Sequence, residues 1–509
     1  MDKQQRTYQS RTVVIPEEDK ALSAYASLFS KAERALFARL EAGGDIVGLK
    51  RQFLLKFGIS ARQFNAMAVQ LGGKISSIKE RRAGLIKEAE QRIARAKKVL
   101  KKITNPAKAH HKKRRIETLQ SRLARMKADH ACGAVHLCFG SKKLFNAQFH
   151  LGDNGYADHG EWLSDWRAAR SSQFFVLGSK DETAGCQGCV ATVAQDSSIM
   201  LRLRLPDALS KYGKYLTFTD IRFEYGQEAI VAVIGRNLSD NKEDWQAISY
   251  RFLRDDNGWR VFVTVALPEV PVQSYKDIGV IGIDINVEHL ALTETDRFGN
   301  LLEHFSVACA THGQTAQHRG AIIGDAVKQA MAFVCKRKKP IVIEKLNFQN
   351  KKAALEKESP QYARMLCSMA YTQIQTLIRG RAFDAGIEVY EVSPAYTSVI
   401  GQYKFADRYG MSRHNAAAFV IGRRSLGFSE TLPSQLRNTL SLPVRNRQKH
   451  VWSLWAVVSR KASAALAARR RSGSARSSPS PVPGQGTACD PSAWTGEIPV
   501  CESSQTLFV

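Results

Sequence analysis

The sequence lacks any uninterrupted apolar run near the roughly 18 residues that suggest a membrane span. Its polar start, MDKQQRTYQS, shows no signal-peptide pattern. These two absences lead us to expect a soluble, cytoplasmic protein with no membrane partner. Paired cysteine motifs are also scarce. Of nine cysteines, only Cys186 and Cys189 form a CxxC. A zinc ribbon needs a second such knuckle to complete four tetrahedral ligands, so no zinc is expected and the thiols are read as reduced. Acid is scarce relative to base: 47 Asp and Glu face 75 Lys and Arg, a formal net charge of +28. An excess of that size implies a polyanionic partner, most often nucleic acid, with an anionic membrane surface as the rival. There is no internal repeat.

What is present falls into regions of different composition. A first strand is expected within Arg6 to Ile15, followed by helix from Glu17 to Gly73 with apolar residues three and four apart. The segment Arg81 to Lys127 carries 17 Lys and Arg against 3 Glu. Its apolar residues, Leu85 through Ile103, keep helical spacing. Asn105-Pro106 then breaks the pattern before a second helix over about 112–127. A helical hairpin with a basic exterior is expected. Lys97, Lys98, Lys101, Lys102, Lys112, Lys113, Arg114 and Arg115 are its candidate phosphate contacts, and such contacts make binding salt-dependent. From Ala134 to about Pro268 the period becomes two. VATVAQ, IMLRLRL, YLTFTDIRF, EAIVAVI, AISYRFL and WRVFVTVAL read as strands of a small barrel or sandwich. Strands and helices alternate from Asp277 to about Gly427. The Ser/Pro/Gly-rich end, from about 469, reads as disordered.

Chemistry concentrates in the alternating region. VIGIDINVEHLALTE reads as strand, turn, strand, the first strand ending in Asp284. KKPIVIEKLNF places Glu344 at the end of another apolar strand, after the basic run Lys336 to Lys339. A strand-end acid alone is often only a turn former. Two in this order fit an RNase H-like arrangement, in which carboxylates from neighbouring strand ends converge above a sheet. Hard divalent ions favour such oxygen ligands together with water and phosphate, and two ions can clamp a phosphodiester. Sugar kinases and related ATPases open on a similar strand, but they need a second Gly-rich phosphate loop, which the sequence lacks.

IGIDINVEHLALTETD, IVIEKLNF, VSPAYTS and HNAAAFVIGRR, in this order, resemble the RuvC-like nuclease region of TnpB proteins, transposon-encoded RNA-guided nucleases related to type V CRISPR effectors. The match covers about Asp277 to Phe428, and CFGSKKLF, Cys138 to Phe145, resembles the family's middle region. The resemblance implies a multidomain α+β chain. It places a β-barrel wedge domain over 1–15 and 134–270, a helical basic recognition insertion over 16–133, a RuvC-like α/β domain over 277–460 and a disordered tail over 469–509. It implies an endonuclease using Mg²⁺ or Mn²⁺, with a noncoding guide RNA and a double-stranded DNA target as partners. Base pairing would read sequence and the protein would read a short flanking motif. Asp284 and Glu344 would be catalytic acids and metal ligands.

The family's third acid sits on the last helix, two residues before Asn-Ala-Ala. Alignment through the small residues puts His414 there, and alignment through Asn415 puts Arg413 there. Imidazole can ligate a divalent ion, with Mn²⁺ suited better than Mg²⁺, or accept a proton from water. Asp407 is an alternative supplied from the preceding loop. The other reading is a cleavage-deficient RNA-guided DNA-binding protein with a degenerate site. Lys142 and Lys143 beside aromatics suit RNA. Tyr396, Thr397 and Ser398 either contact nucleic acid or close the strand end.

Overall fold

The computed structural model describes residues 5–268, 270–345, 370–434, 437 and 450–461. The tail expected to be disordered lies outside the described residues. The chain divides into two compact units, one running to Glu269 and the other beginning at Val270.

In the first unit, β1 (Gln5–Thr12) is followed by α1 (Pro16–Glu41), α2 (Ile46–Phe57), α3 (Ala61–Leu100) and α4 (Pro106–Cys132). α3 is longer than its apolar spacing suggests, because Gly72 and Gly73 sit inside it without breaking it. Asn105 caps α4 through a hydrogen bond to the Lys108 amide, and Pro106 occupies the first turn, where its missing N–H costs nothing. Ala89, Ile93 and Ala96 form a buried seam on α3, and Ile116 is buried on α4. Arg82 closes the base of this hairpin by donating to the carbonyls of Asp129 and Ala134 at 2.7 and 2.6 Å. The basic residues cluster at the opposite end. Lys97, Lys98, Lys101, Lys102, Lys113, Arg114 and Arg115 are exposed there and Lys112 is partly covered.

The remaining elements of this unit are α5 (Lys142–Ala147), α6 (His159–Arg170), β2 (Gln173–Val176), β3 (Cys189–Val193), β4 (Ile199–Arg204), β5 (Tyr215–Ile221), α7 (Gln227–Arg236), β6 (Ser249–Asp255) and β7 (Gly258–Ala266). The strands form an antiparallel sheet ordered β1-β7-β6-β2 and a second ordered β3-β4-β5. Neither closes, so the expected barrel is instead a pair of open sheets. On β7, alternate residues Trp259, Val261, Val263 and Val265 are buried, as period two requires. EAIVAVI, expected as a strand, is α7. Ile230, Val233 and Ile234 are its buried residues, spaced three and four apart, and burial of that face overrides the β-branched composition. Cys186 and Cys189 are core residues whose thiols burial pushes up, Cys186 to about 11, so both stay protonated and unreactive.

The second unit is built on one five-stranded sheet. Its elements are β8 (Val280–Ile285), β9 (His289–Thr295), β10 (Leu301–Ala308), α8 (Ala316–Cys335), β11 (Ile341–Glu344), α9 (Tyr371–Asp384), β12 (Val389–Val392), α10 (Thr397–Ile400), a π-helical turn (Gly401–Ala406), α11 (Asp407–Tyr409) and α12 (Arg413–Ser425). Strand order is β10-β9-β8-β11-β12, with β8, β11 and β12 parallel and the other two pairings antiparallel. Every residue of β8 is buried, the expected state of a strand covered on both faces. Ile281, Ile283 and Ile285 pack with Ile341 and Ile343 against α8 and α9. Val280 and Val342 pack with Ile421 of α12 on the other face. A Cβ on Gly282 would lie 2.0 Å from the Ala418 carbonyl oxygen, so helix and strand meet main chain to main chain there. On the far side of α12, a Cβ on Gly401 would lie 2.7 Å from the Ala417 nitrogen.

Gly282→Ala is expected to lower the stability of this unit by about 3 kcal/mol or more, since the obstructing atom is backbone. Gly422→Ala would meet nothing nearer than 3.4 Å, and its effect is expected to stay below about 1 kcal/mol. Urea unfolding followed by circular dichroism checks both.

Candidate active site

Strand periodicity assigns Asp284 its position. Gly282 and Asp284 share one face of β8, two residues apart. On α12, His414 and Ala418 share a face, four residues apart. The Gly282–Ala418 contact therefore carries His414 to Asp284. His414 Nδ1 lies 3.2 Å from Asp284 Oδ2. Asn286 Nδ2 donates to the same oxygen at 2.9 Å. Asp284 Oδ1 has no hydrogen bond among the described residues. The Asp284 side chain is 11 % exposed and that of His414 36 %. Arg413, the alternative from the second alignment, is exposed.

Glu344 ends β11 on the same face. The parallel register runs Ile341 to Ile281, Val342 to Gly282 and Ile343 to Ile283, so the next step sets Glu344 beside Asp284 at the carboxyl ends of adjacent parallel strands. Its Oε1 accepts a hydrogen bond from Thr397 Oγ1. Its main-chain carbonyl accepts from the Tyr371 hydroxyl and from Gln375 Nε2, both at 3.1 Å. Burial pushes the Tyr371 phenol well up, with the Glu344 and Asp284 charges adding to it, so it remains a neutral donor.

The segment that supplies Thr397 is itself pinned. Tyr396 adopts φ +61°, a left-handed conformation a tyrosine rarely takes. Arg424 of α12 donates to the carbonyls of Ser393 and, at 2.9 Å, of Ala395. Burial lowers the Arg424 pKa, and the Glu344 and Glu430 charges act against that. Thr397 is buried, and Tyr396 and Ser398 are half-buried. At the other end of α12, Ser412 caps the helix through the Asn415 amide. Asn415 is fixed by Ser306 at 3.0 Å, by His304 at 3.1 Å and, through its carbonyl, by Thr293 at 2.8 Å. The first turn of α12 is thus held rigidly over the strand ends.

A second imidazole joins this group. His289, the first residue of β9, meets His414 edge to face with ring centroids 4.9 Å apart. Burial lowers the His289 pKa, the nearby His414 adds to that, and Asp284 and Glu288 oppose it. Sequence reasoning did not reach His289, Thr397 as a support of Glu344, or Arg424 as the anchor of the 393–395 turn. Nor did it reach Asn286, although the Asp-Ile-Asn order places that residue two positions from Asp284.

Asp407 lies exposed at the start of α11 and makes no hydrogen bond to Asp284, Glu344 or His414 among the described residues. Lys142 and Lys143 are exposed in the first turn of α5, which Ser141 caps.

No three His, Cys, Asp or Glu side chains already converge as a metal site among the described residues. Two carboxylates on adjacent strand ends suit a divalent ion completed by water and phosphate. Asp284 and Glu344 are the residues that would hold it, and an imidazole within reach favours Mn²⁺ over Mg²⁺. With Nδ1–H donating to Asp284, neutral His414 presents Nε2 as an acceptor, the arrangement of an oriented base.

The chain matches no family model and no curated protein. Among solved structures it is similar to T. thermophilus RuvC in complex with a Holliday junction substrate, at 18% identity and TM-score 0.21, over 28% of this chain and 90% of that one. It is also similar to Cas12f1 in a complex with sgRNA and target DNA, at 12% identity and TM-score 0.23, over 83% of this chain and 100% of that one. A Cas12f ternary complex gives 13% identity and TM-score 0.22 over 82% and 98%. These likenesses are distant.

Thr397→Val keeps the shape of a buried side chain and removes the hydroxyl that holds Glu344. A loss of about 1.5–3 kcal/mol in unfolding free energy is expected, the usual cost of a hydrogen bond to a charged group, and denaturant titration measures it.

Proposed function

We propose that this chain is an RNA-guided DNA endonuclease of the TnpB type, hydrolysing a phosphodiester at the carboxyl ends of β8 and β11. The observation that carries the reading is the pair Asp284 and Glu344, on one face of adjacent parallel strands, in a protein of net charge +28. Two acids facing a polyanion repel it unless a cation stands between them. A divalent ion bound there would stabilise negative charge building on the phosphate oxygens. His414, oriented by Asp284, takes a proton from the attacking water as its oxygen bonds to phosphorus and one P–O bond of the strand breaks. Thr397, Tyr371 and Gln375 keep Glu344 in place while this happens.

The exposed basic end of the α3–α4 hairpin is the surface we assign to the RNA backbone. Its lysines and arginines lie on both sides of one turn, so a strand crossing that turn meets charge from two helices. No helix among the described residues is long and apolar enough to cross a membrane.

A second reading, guided binding without cleavage, is favoured by one contact. His414 lies against Asp284, one of the two acids that would hold a metal. Protonated, it would neutralise Asp284 in the metal's place.

The test is to co-express the chain with the DNA flanking its gene, recover the bound RNA and retarget it to a plasmid with a randomised flank. Cleavage in Mn²⁺ is expected, with Asp284→Asn and Glu344→Gln each losing at least about 10³-fold and His414→Ala about 10²-fold. Specific target binding by the wild type without cleavage supports the second reading. Replacing Lys97, Lys98, Lys101 and Lys102 by Gln is expected to flatten the dependence of log affinity on log salt. The slope should fall by about 0.7 for each of these lysines that neutralises a phosphate, measured by filter binding of the recovered RNA.

A further inference from the structure

The first unit contains a cavity of about 590 Å³ between α1, α5, α6 and the turn that carries Cys138 to Gly140. That volume falls within the roughly 300–1,000 Å³ of small-molecule sites. Four aromatic rings line it. Phe37 and Phe139 meet edge to face at 5.8 Å, and Phe145 lies 5.5 Å from Trp166. Phe145 is 41 % exposed, which is unusual for a core ring and useful for a stacking one. Gly140 adopts φ +93°, and a Cβ there would lie 3.1 Å from Trp166. The glycine therefore lets this turn lie flat against the indole.

Two guanidinium groups line the same cavity. Arg170 lies over the Trp166 ring at 5.2 Å, and its Nε is enclosed without a partner. Arg34 donates to Ser30 Oγ at 2.6 Å. Neither has a carboxylate at ion-pair distance among the described residues. Burial lowers the Arg34 pKa and the Arg170 charge lowers it further, only partly offset by Glu33. Two like charges thus share one half-buried space; Glu41 also lines it and Glu33 acts on Arg34, but no carboxylate forms an ion pair with either guanidinium among the described residues. Such a pair asks for an anion, and the rings beside it ask for a flat apolar group.

A nucleotide supplies both. We propose that this cavity takes one unstacked nucleotide of a single-stranded nucleic acid, its base against the aromatic rings and its phosphate between Arg34 and Arg170. An acidic side chain would satisfy the arginines but leave the rings bare, whereas base stacking uses them and arginine adds to it. The proposal rests on the nucleic-acid-binding reading above and narrows it to a site distinct from the basic hairpin.

The full chain is titrated with uridine and thymidine decamers carrying 5-iodouracil, irradiated, and the adducts are mapped by mass spectrometry. Adducts on Phe139, Phe145 or Trp166 are expected. Phe145→Ala and Arg170→Gln are each expected to weaken decamer binding about ten-fold. The decamer that gives the adducts, RNA or DNA, identifies which strand the cavity serves. Decamers that bind with adducts only on α3 and α4, and with both variants unchanged, overturn the cavity proposal and leave the wider reading intact. Decamers that do not bind at all overturn the wider reading and this one with it. Mapping on the wild type keeps the test decisive even where a variant fails to fold.

Discussion

The second unit depends on one close approach, that of α12 to β8 at Gly282. Only a strand residue without a side chain lets the Ala418 carbonyl come so near. A larger residue at 282 would lift the helix, and with it His414, away from Asp284. The helix cannot retreat the other way, because Gly401 and the π-helical turn press on Ala416 and Ala417. The contact therefore sets the height of the helix over the sheet. The periodicities of strand and helix convert that height into the juxtaposition of a carboxylate and an imidazole.

Charge balance then decides what such a site can hold. Asp284 and Glu344 sit on neighbouring strand ends, and hydrogen bonds from the groups around them orient both. Thr397, Tyr371 and Gln375 are neutral donors. Arg424 directs its guanidinium to the carbonyls of Ser393 and Ala395. Among the described residues, the side chains that hydrogen-bond to Asp284 are Asn286 and His414. On the proposed reading, Asp284 and Glu344 would hold a divalent ion there.

Much of this was legible in the sequence, and each part for a physical reason. Apolar strands that end in a single acid stood out because β8 and β11 are buried on both faces, where a lone carboxylate is conspicuous. The small residues of HNAAAFVIGRR signalled close helix packing because only they permit it. Asn105-Pro106 marked the break between two helices because capping chemistry is local, although α4 begins at Pro106 itself and not near 112. What stayed hidden depends on contacts between distant residues. The open sheets hinge on β1 pairing with β7 across more than 240 positions, which strand patterns alone do not specify. EAIVAVI carried a β-branched composition that its buried helical face overruled. Thr397 read as a nucleic-acid contact or a strand end because its partner, Glu344, lies 53 residues away. His289 gave no signal, since its neighbour His414 is brought to it only by the fold.

Central to the proposed chemistry is one divalent cation shared by Asp284 and Glu344, with the His414 imidazole at its edge. Electron paramagnetic resonance of Mn²⁺ bound to the RNA-loaded protein tests this directly, with pulsed detection of coupling to imidazole nitrogen. The prediction is a bound Mn²⁺ signal that disappears in both Asp284→Asn and Glu344→Gln, with a nitrogen coupling that disappears in His414→Ala. A signal that survives both carboxylate substitutions unchanged would contradict it.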